Sequence, residues 1–224
     1  MPEHVHVHAP HELSEEGEDI TGRERWFELA AVLLLSLATV GIAWSGYQAA
    51  RWSGRQARSY AQASTARALA NRASTLGGQE RIQDLLNFNR WLEVSSAGDQ
   101  QLTDLYVRRF RPEFRPAFDA WLAQDPLNNV GAIATPLLMP QYKVANFEKA
   151  DRLEAVGDHR FEQGKEATEH ADAYIFATVF FATVLFFAGI SMRFRWAPMR
   201  QAVLGLGFLA FAYAAIRLLA LPAH

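Results

Sequence analysis

The sequence predicts an all-α integral membrane protein with three transmembrane helices, a long antiparallel helical stalk and a small helical cap. Three observations lead there. Leu29 to Ala50, Ala173 to Met192 and Gln201 to Ile216 are long stretches with no charged residue. The segments bordering the first two stretches carry opposite charge. Between those segments lies an aromatic-rich region whose apolar residues recur at helical spacing.

Mean hydropathy over the 224 residues is −0.08, an average that hides this uneven distribution. Crossing a bilayer takes roughly 20 predominantly apolar residues in a helix, because in lipid the backbone must satisfy its own hydrogen bonds. Buried helices of a soluble domain usually keep one polar face, and these runs do not. Residues 26–46, 173–192 and 201–221 are therefore assigned as spans. Residues 1–25 read as a disordered tail rich in histidine and acid. The first run is too long, and lies too far from the start, for a removable signal peptide.

Orientation follows from Lys and Arg in short connections. RFRWAPMR, with Arg193, Arg195 and Arg200, joins the second and third spans and is expected in the cytoplasm. The N-terminal tail, with Arg23 and Arg25, then lies there too, and residues 47–172 are extracytoplasmic. Arg51, Arg55 and Arg58 run against this assignment, although long translocated segments are less bound by the charge rule.

Residues 47–76 continue the first helix as a stalk, with Gly77-Gly78 expected to break it. Spacings of four and three mark a seam of mostly small residues: Ala43, Tyr47, Ala50, Gly54, Ala57, Ala61, Ser64 and Ala68. A returning stalk over residues 141–172 carries a matching seam: Phe147, Ala150, Glu154, Gly157, Phe161, Gly164, Thr168, Ala171 and Ile175. Five arginines and no acid lie between Tyr47 and Gln79, against eight acids and four bases between Glu148 and Asp172. Antiparallel pairing would set position i near about 218 − i, placing Arg51 by Glu166, Arg55 by Glu162, and Arg67 by Asp151 or Glu154. Thirty helical residues would reach roughly 45 Å.

Residues 79–140 form the expected cap. Ile82, Leu85, Leu86, Phe88, Trp91 and Leu92 suggest an amphipathic helix, and Gly98-Asp99 a stop and a new N-cap. A second helix would carry Leu102, Leu105, Tyr106 and Phe110. Pro112 suits the first turn of a third, with Phe114, Phe118, Trp121 and Leu122 on its apolar side. DPLNNVGAIATPLLMP reads as an irregular loop.

Arg108, Arg109, Arg111 and Arg115 are the densest basic cluster and could hold a carboxylate, phosphate or glycan. Ion pairing with Asp104, Glu113 and Asp119 is the favoured alternative. His4, His6 and His8 alternate along the tail. With Met1 removed, the amine and the third-position histidine of Pro-Glu-His could hold Cu(II) or Ni(II). No cysteine is present, which excludes disulfides and thiolate sites. A net charge of −2 argues against nucleic acid as a partner. No hydrolase, P-loop, zincin or dinucleotide motif occurs, so neither catalysis nor a cofactor is expected. Glu28 and Arg217, the ionisable groups nearest the spans, can reach the interface by snorkelling.

YQAARWSGRQA after the first span and HRFEQGKEATEHADAY before the second resemble stretches in small bacterial inner-membrane proteins. Those proteins have a histidine-bearing tail, one span, a helical stretch and a C-terminal helical hairpin. The group has no established activity, so the resemblance implies a location and no chemistry. The layout is also similar to helical-bundle sensor domains, without a signalling module following it. The expectation is a non-catalytic bacterial inner-membrane protein, scaffold- or sensor-like, acting through homo-oligomers or envelope protein partners. The alternatives are an oligomeric channel or transporter component, and metal binding by the tail.

Overall fold

The computed structural model describes residues 22–223, so the expectations placed on His4, His6 and His8 fall outside the described residues. Those residues form five α-helices and no strand. The helices are α1 (Gly22–Ser96), α2 (Gln100–Arg109), α3 (Arg115–Leu122), α4 (Ala145–Ser191) and α5 (Ala197–Leu219), with a 3₁₀ turn at Pro136–Leu138. Three of them, α1, α4 and α5, are long and apolar enough to cross a membrane. The chain divides into two compact units: residues up to Gly54 together with those from Ala167 onward, and Arg55–Glu166.

In the first unit, Ala31, Leu34 and Ala38 of α1 pack with Phe181, Val184 and Ala188 of α4 and with Leu204 and Ala214 of α5. Helices that cross lipid gain no hydrophobic drive for association there, so close packing over small residues is what would join them. A Cβ at Gly41 would lie 2.8 Å from the Phe181 ring, and one at Gly207 would lie 3.3 Å from Leu34. These two glycines serve close packing within the chain, whereas Gly46 and Gly205 face open space. Leu33, Leu37, Val40, Phe176, Val179, Phe186 and Leu209 are exposed and make an apolar outer surface. A second cluster joins Ala49 and Trp52 to Ala167, Ala171 and Tyr174. Trp52 Nε1 and Tyr174 OH both donate to the Pro222 carbonyl, at 3.3 and 3.2 Å, and tie the end of the chain to this cluster.

In the second unit, the buried side of α1 runs Ser59, Ala63, Ala66, Ala70, Ala73 and Gly77. Large side chains of one helix sit on glycines of the other: Tyr60 on Gly164, Arg67 on Gly157 and Phe147 on Gly77. The contacts run in opposite chain order. The seam expected on α1 is corrected here, because Ala57, Ala61, Ser64 and Ala68 are exposed. The buried set lies two positions on, about 200° around the helix. Small residues line both faces of this segment, so their spacing could not choose between them. On α4 the expected positions Ala150, Gly157 and Gly164 are buried, but Glu154 and Phe161 are exposed.

The register also differs. Arg67 pairs with Asp158 at 2.9 Å, one heptad beyond the expected Asp151. The pairs 60–164, 67–157 and 77–147 each sum to 224, where the charges suggested about 218. The difference of about six residues is close to one heptad, after which a heptad seam looks nearly the same. The glycines that admit Tyr60 and Phe147 discriminate where exposed charges, worth under ~1 kcal/mol each, do not.

Gly77-Gly78 does not break the helix, which continues to Ser96. Gly77 is there for close approach, since a Cβ would meet the Phe147 ring at 2.8 Å. The stop comes at Gly98, with φ +79°, and Asp99 caps α2 by accepting from the Leu102 amide at 3.0 Å. Pro112 lies in the preceding turn, and Pro116 takes the first turn of α3. Phe88, Trp91, Phe110, Phe114, Phe118 and Trp121 form the local core. Several of their rings meet edge to face, with 4.8 Å between the centroids of Trp91 and Phe118, while Phe88 stacks on Trp91.

Candidate functional site

The aromatic core of the second unit surrounds one buried carboxylate. Asp84 on α1 is only 1% exposed, although the run around it is amphipathic. It shares a helix face with Phe88 and Trp91, at spacings of four and three. Its neighbours Ile82, Leu85 and Leu86, expected in the core, are exposed instead. The helix is turned to bring Asp84 inward because Arg111 waits there. Arg111 Nε donates to Asp84 Oδ1 at 3.0 Å and its Nη2 to Oδ2 at 2.8 Å, a two-pronged pair.

Tyr142 OH donates to the same Oδ2 at 3.0 Å. Glu80 and Glu113 stand 3.5 and 3.6 Å from Arg111 Nη1. The Glu80 contact is electrostatic rather than a hydrogen bond, since its Oε2 has no donor. Asn146 donates to Glu80 Oε1 at 2.8 Å. The network joins α1, the α2–α3 turn and the segment leading into α4. Burial, followed by the charge of Asp84, pushes the Tyr142 phenol up to about 12. The hydrogen bonds it donates to Asp84 raise the Arg111 guanidinium above its usual range.

Of the four clustered arginines, Arg111 is therefore committed to carboxylates, and its main partner is Asp84 rather than Asp104 or Asp119. An anion would have to displace a buried two-pronged pair to reach it. Arg108, Arg109 and Arg115 are exposed and make no ion pair among the described residues. Asp84 and Tyr142 are not among the site residues expected from sequence. The signal for Asp84 was present, since an acid in phase with Phe88 and Trp91 lies on the buried face.

Among the pairing residues, Arg67 meets Asp158, and its guanidinium also lies 5.0 Å from the Phe161 ring centre. Asp151, Glu154, Glu162 and Glu166 are exposed, and Glu162 pairs along its own helix with Lys165 at 3.7 Å. His170 packs on Trp52, with ring centres 4.5 Å apart. No group of three His, Cys, Asp or Glu able to hold a metal ion comes together among the described residues.

The second unit also carries apolar grooves. Ile82, Leu85, Leu137 and Leu138 border one. Ala61, Thr65, Leu69, Leu153 and Val156 border another of about 390 Å³. Comparison with family models, curated proteins and solved structures finds no match for this chain.

Proposed function

We propose that this chain is a non-catalytic, multi-pass protein of the bacterial inner membrane that acts as a scaffold through self-association. In this reading α1 and α4 continue beyond the bilayer as an antiparallel stalk. Residues 79–140 close its tip as a cap, pinned by Asp84 and Arg111. The basic α4–α5 connection lies in the cytoplasm and the stalk outside it. Contacts with other envelope proteins would use the same exposed surfaces.

One observation carries the reading: outside the apolar spans, α1 keeps a second face of small residues, Ala57, Ala61, Ser64 and Ala68, beside exposed Leu69 and Val156. A contiguous apolar surface away from lipid is costly to leave in water, and a second copy covers it at close helix–helix distance. The polar network favours a structural role over catalysis, since Asp84, Arg111 and Tyr142 are turned onto one another.

Light scattering on the full chain, solubilised in a neutral detergent, tests this. The expected mass is a multiple of 25.1 kDa, reduced to one copy by Ala61→Glu with helicity unchanged. A single copy at every concentration, together with no disulfide cross-link at Ala61→Cys in membranes, refutes self-association. The chain lacks cysteine, so Ser96→Cys is a unique label. Labelling from outside intact cells supports the orientation, and labelling only after permeabilisation reverses it.

A further inference from the structure

At one end of the first unit, where α1 enters its apolar run and α4 turns into α5, lies a small cavity of about 60 Å³. Phe27, Glu28 and Ala31 line one side of it, and Ser191, Arg200 and Leu204 line the other. That volume admits a few waters or one phosphate-sized group. Arg200 is only part-exposed, and its Nε is buried with no hydrogen-bond acceptor among the described residues. Its guanidinium lies 5.4 Å from the Phe27 ring centre, a face that holds the charge without satisfying its donors.

Glu28 shares the cavity, yet no ion pair between it and Arg200 forms among the described residues. A buried guanidinium donor without a partner is expensive, and a planar fork of donors matches phosphate oxygens. Arg193 and Arg195, in the five-residue connection just before α5, are the nearest charges in sequence and add to the positive field. The first turn of α5 is uncapped by any side chain.

The surroundings indicate which phosphate. Trp26 and Trp196 are both strongly exposed beside this cavity's lining residues in sequence, the pattern of aromatic side chains at a membrane–water boundary. Phospholipids place phosphate at that level, and in anionic leaflets, whose headgroups carry no compensating cation, basic pockets between spanning helices capture them. We propose that Arg200, seated on Phe27, binds the headgroup phosphate of an anionic phospholipid. The inference rests on the reading of α1, α4 and α5 as membrane spans.

Native mass spectrometry of the full chain tests it, comparing retained phosphatidylglycerol with phosphatidylcholine. Wild type is expected to retain phosphatidylglycerol preferentially. Arg200→Gln should lower that retention about tenfold, the scale of one lost charge-assisted contact. Arg193→Gln combined with Arg195→Gln removes two charges and should lower it less. Glu28→Gln should leave retention equal or higher.

Equal retention by Arg200→Gln and wild type overturns the proposal, and so does a larger loss in the double variant, which would mean diffuse attraction. Should Arg200→Gln fail to fold, wild type alone decides. Its thermal stability in phosphatidylcholine nanodiscs must rise when phosphatidylglycerol is added and stay unchanged with inorganic phosphate. No rise, or the same rise with free phosphate, overturns the lipid assignment. Failure of the membrane reading itself would look different: alkaline carbonate would release the chain without detergent.

Discussion

Replacing Asp84 with alanine should release the aromatic-rich segment from α1. Asp84 is 1% exposed and accepts three hydrogen bonds, at 3.0 and 2.8 Å from Arg111 and at 3.0 Å from Tyr142. Removing one member of a buried ion pair costs about 3–5 kcal/mol when the other charge is left alone. Arg111 would retain Glu80 at 3.5 Å and Glu113 at 3.6 Å, so part of that cost is offset. A loss of about 2–4 kcal/mol remains. At about 1.4 kcal/mol per factor of ten, amide protection across residues 100–142 should fall by roughly thirtyfold to several hundredfold. Hydrogen exchange of the full chain in detergent reads this directly, with the apolar spans as an internal reference. A change of less than about threefold would show that the packed rings hold the segment without the ion pair, refuting the reasoning. Asp84→Leu with Arg111→Met separates charge compensation from packing. Removing both charges should restore protection to within about tenfold of wild type.

The other expectations concern neighbouring positions with contrasting outcomes. Gly78→Ala meets open space and should stabilise the helix by about 0.5–1 kcal/mol, as removing a helical glycine usually does. Gly77→Ala should destabilise, because its Cβ would lie 2.8 Å from the Phe147 ring and overpacking costs about 1–3 kcal/mol. Thermal melts of the two variants should therefore move in opposite directions. Arg67→Ala should cost under about 1 kcal/mol, since Arg67 and Asp158 are 47% and 65% exposed. The Tyr142 phenol is raised from 10.0 to about 12, so its contribution is whole below pH 10 and lost as pH climbs towards 12. Tyr142→Phe should flatten this part of the stability profile in a pH-dependent melt.

Much of the molecule was legible along the chain because the relevant physics is local. Uncharged runs of bilayer length identify α1, α4 and α5 as candidate spans. Gly98 with Asp99 announces the end of one helix and the cap of the next, since a positive φ and a side-chain acceptor belong to those residues themselves. The harder questions concern which of several equivalent surfaces is used. Ala57, Ala61 and Ala68 make as good a seam as Ala63, Ala66 and Ala70, and only the partner helix chooses between them.

The sequence by itself determined the all-helical class, the candidate spans and the spacing of the helix seams, because hydropathy and periodicity act over short distances. Tertiary structure alone decided which face of α1 is buried and which heptad of α4 it meets. It also decided that Arg111, besides its nearby Glu113, reaches back 27 residues to Asp84 for its two-pronged pair. Those outcomes depend on where Tyr60 and Phe147 find glycines to rest on, and on which carboxylate is buried enough to need a guanidinium. Neither condition can be evaluated until two distant stretches of chain are in contact.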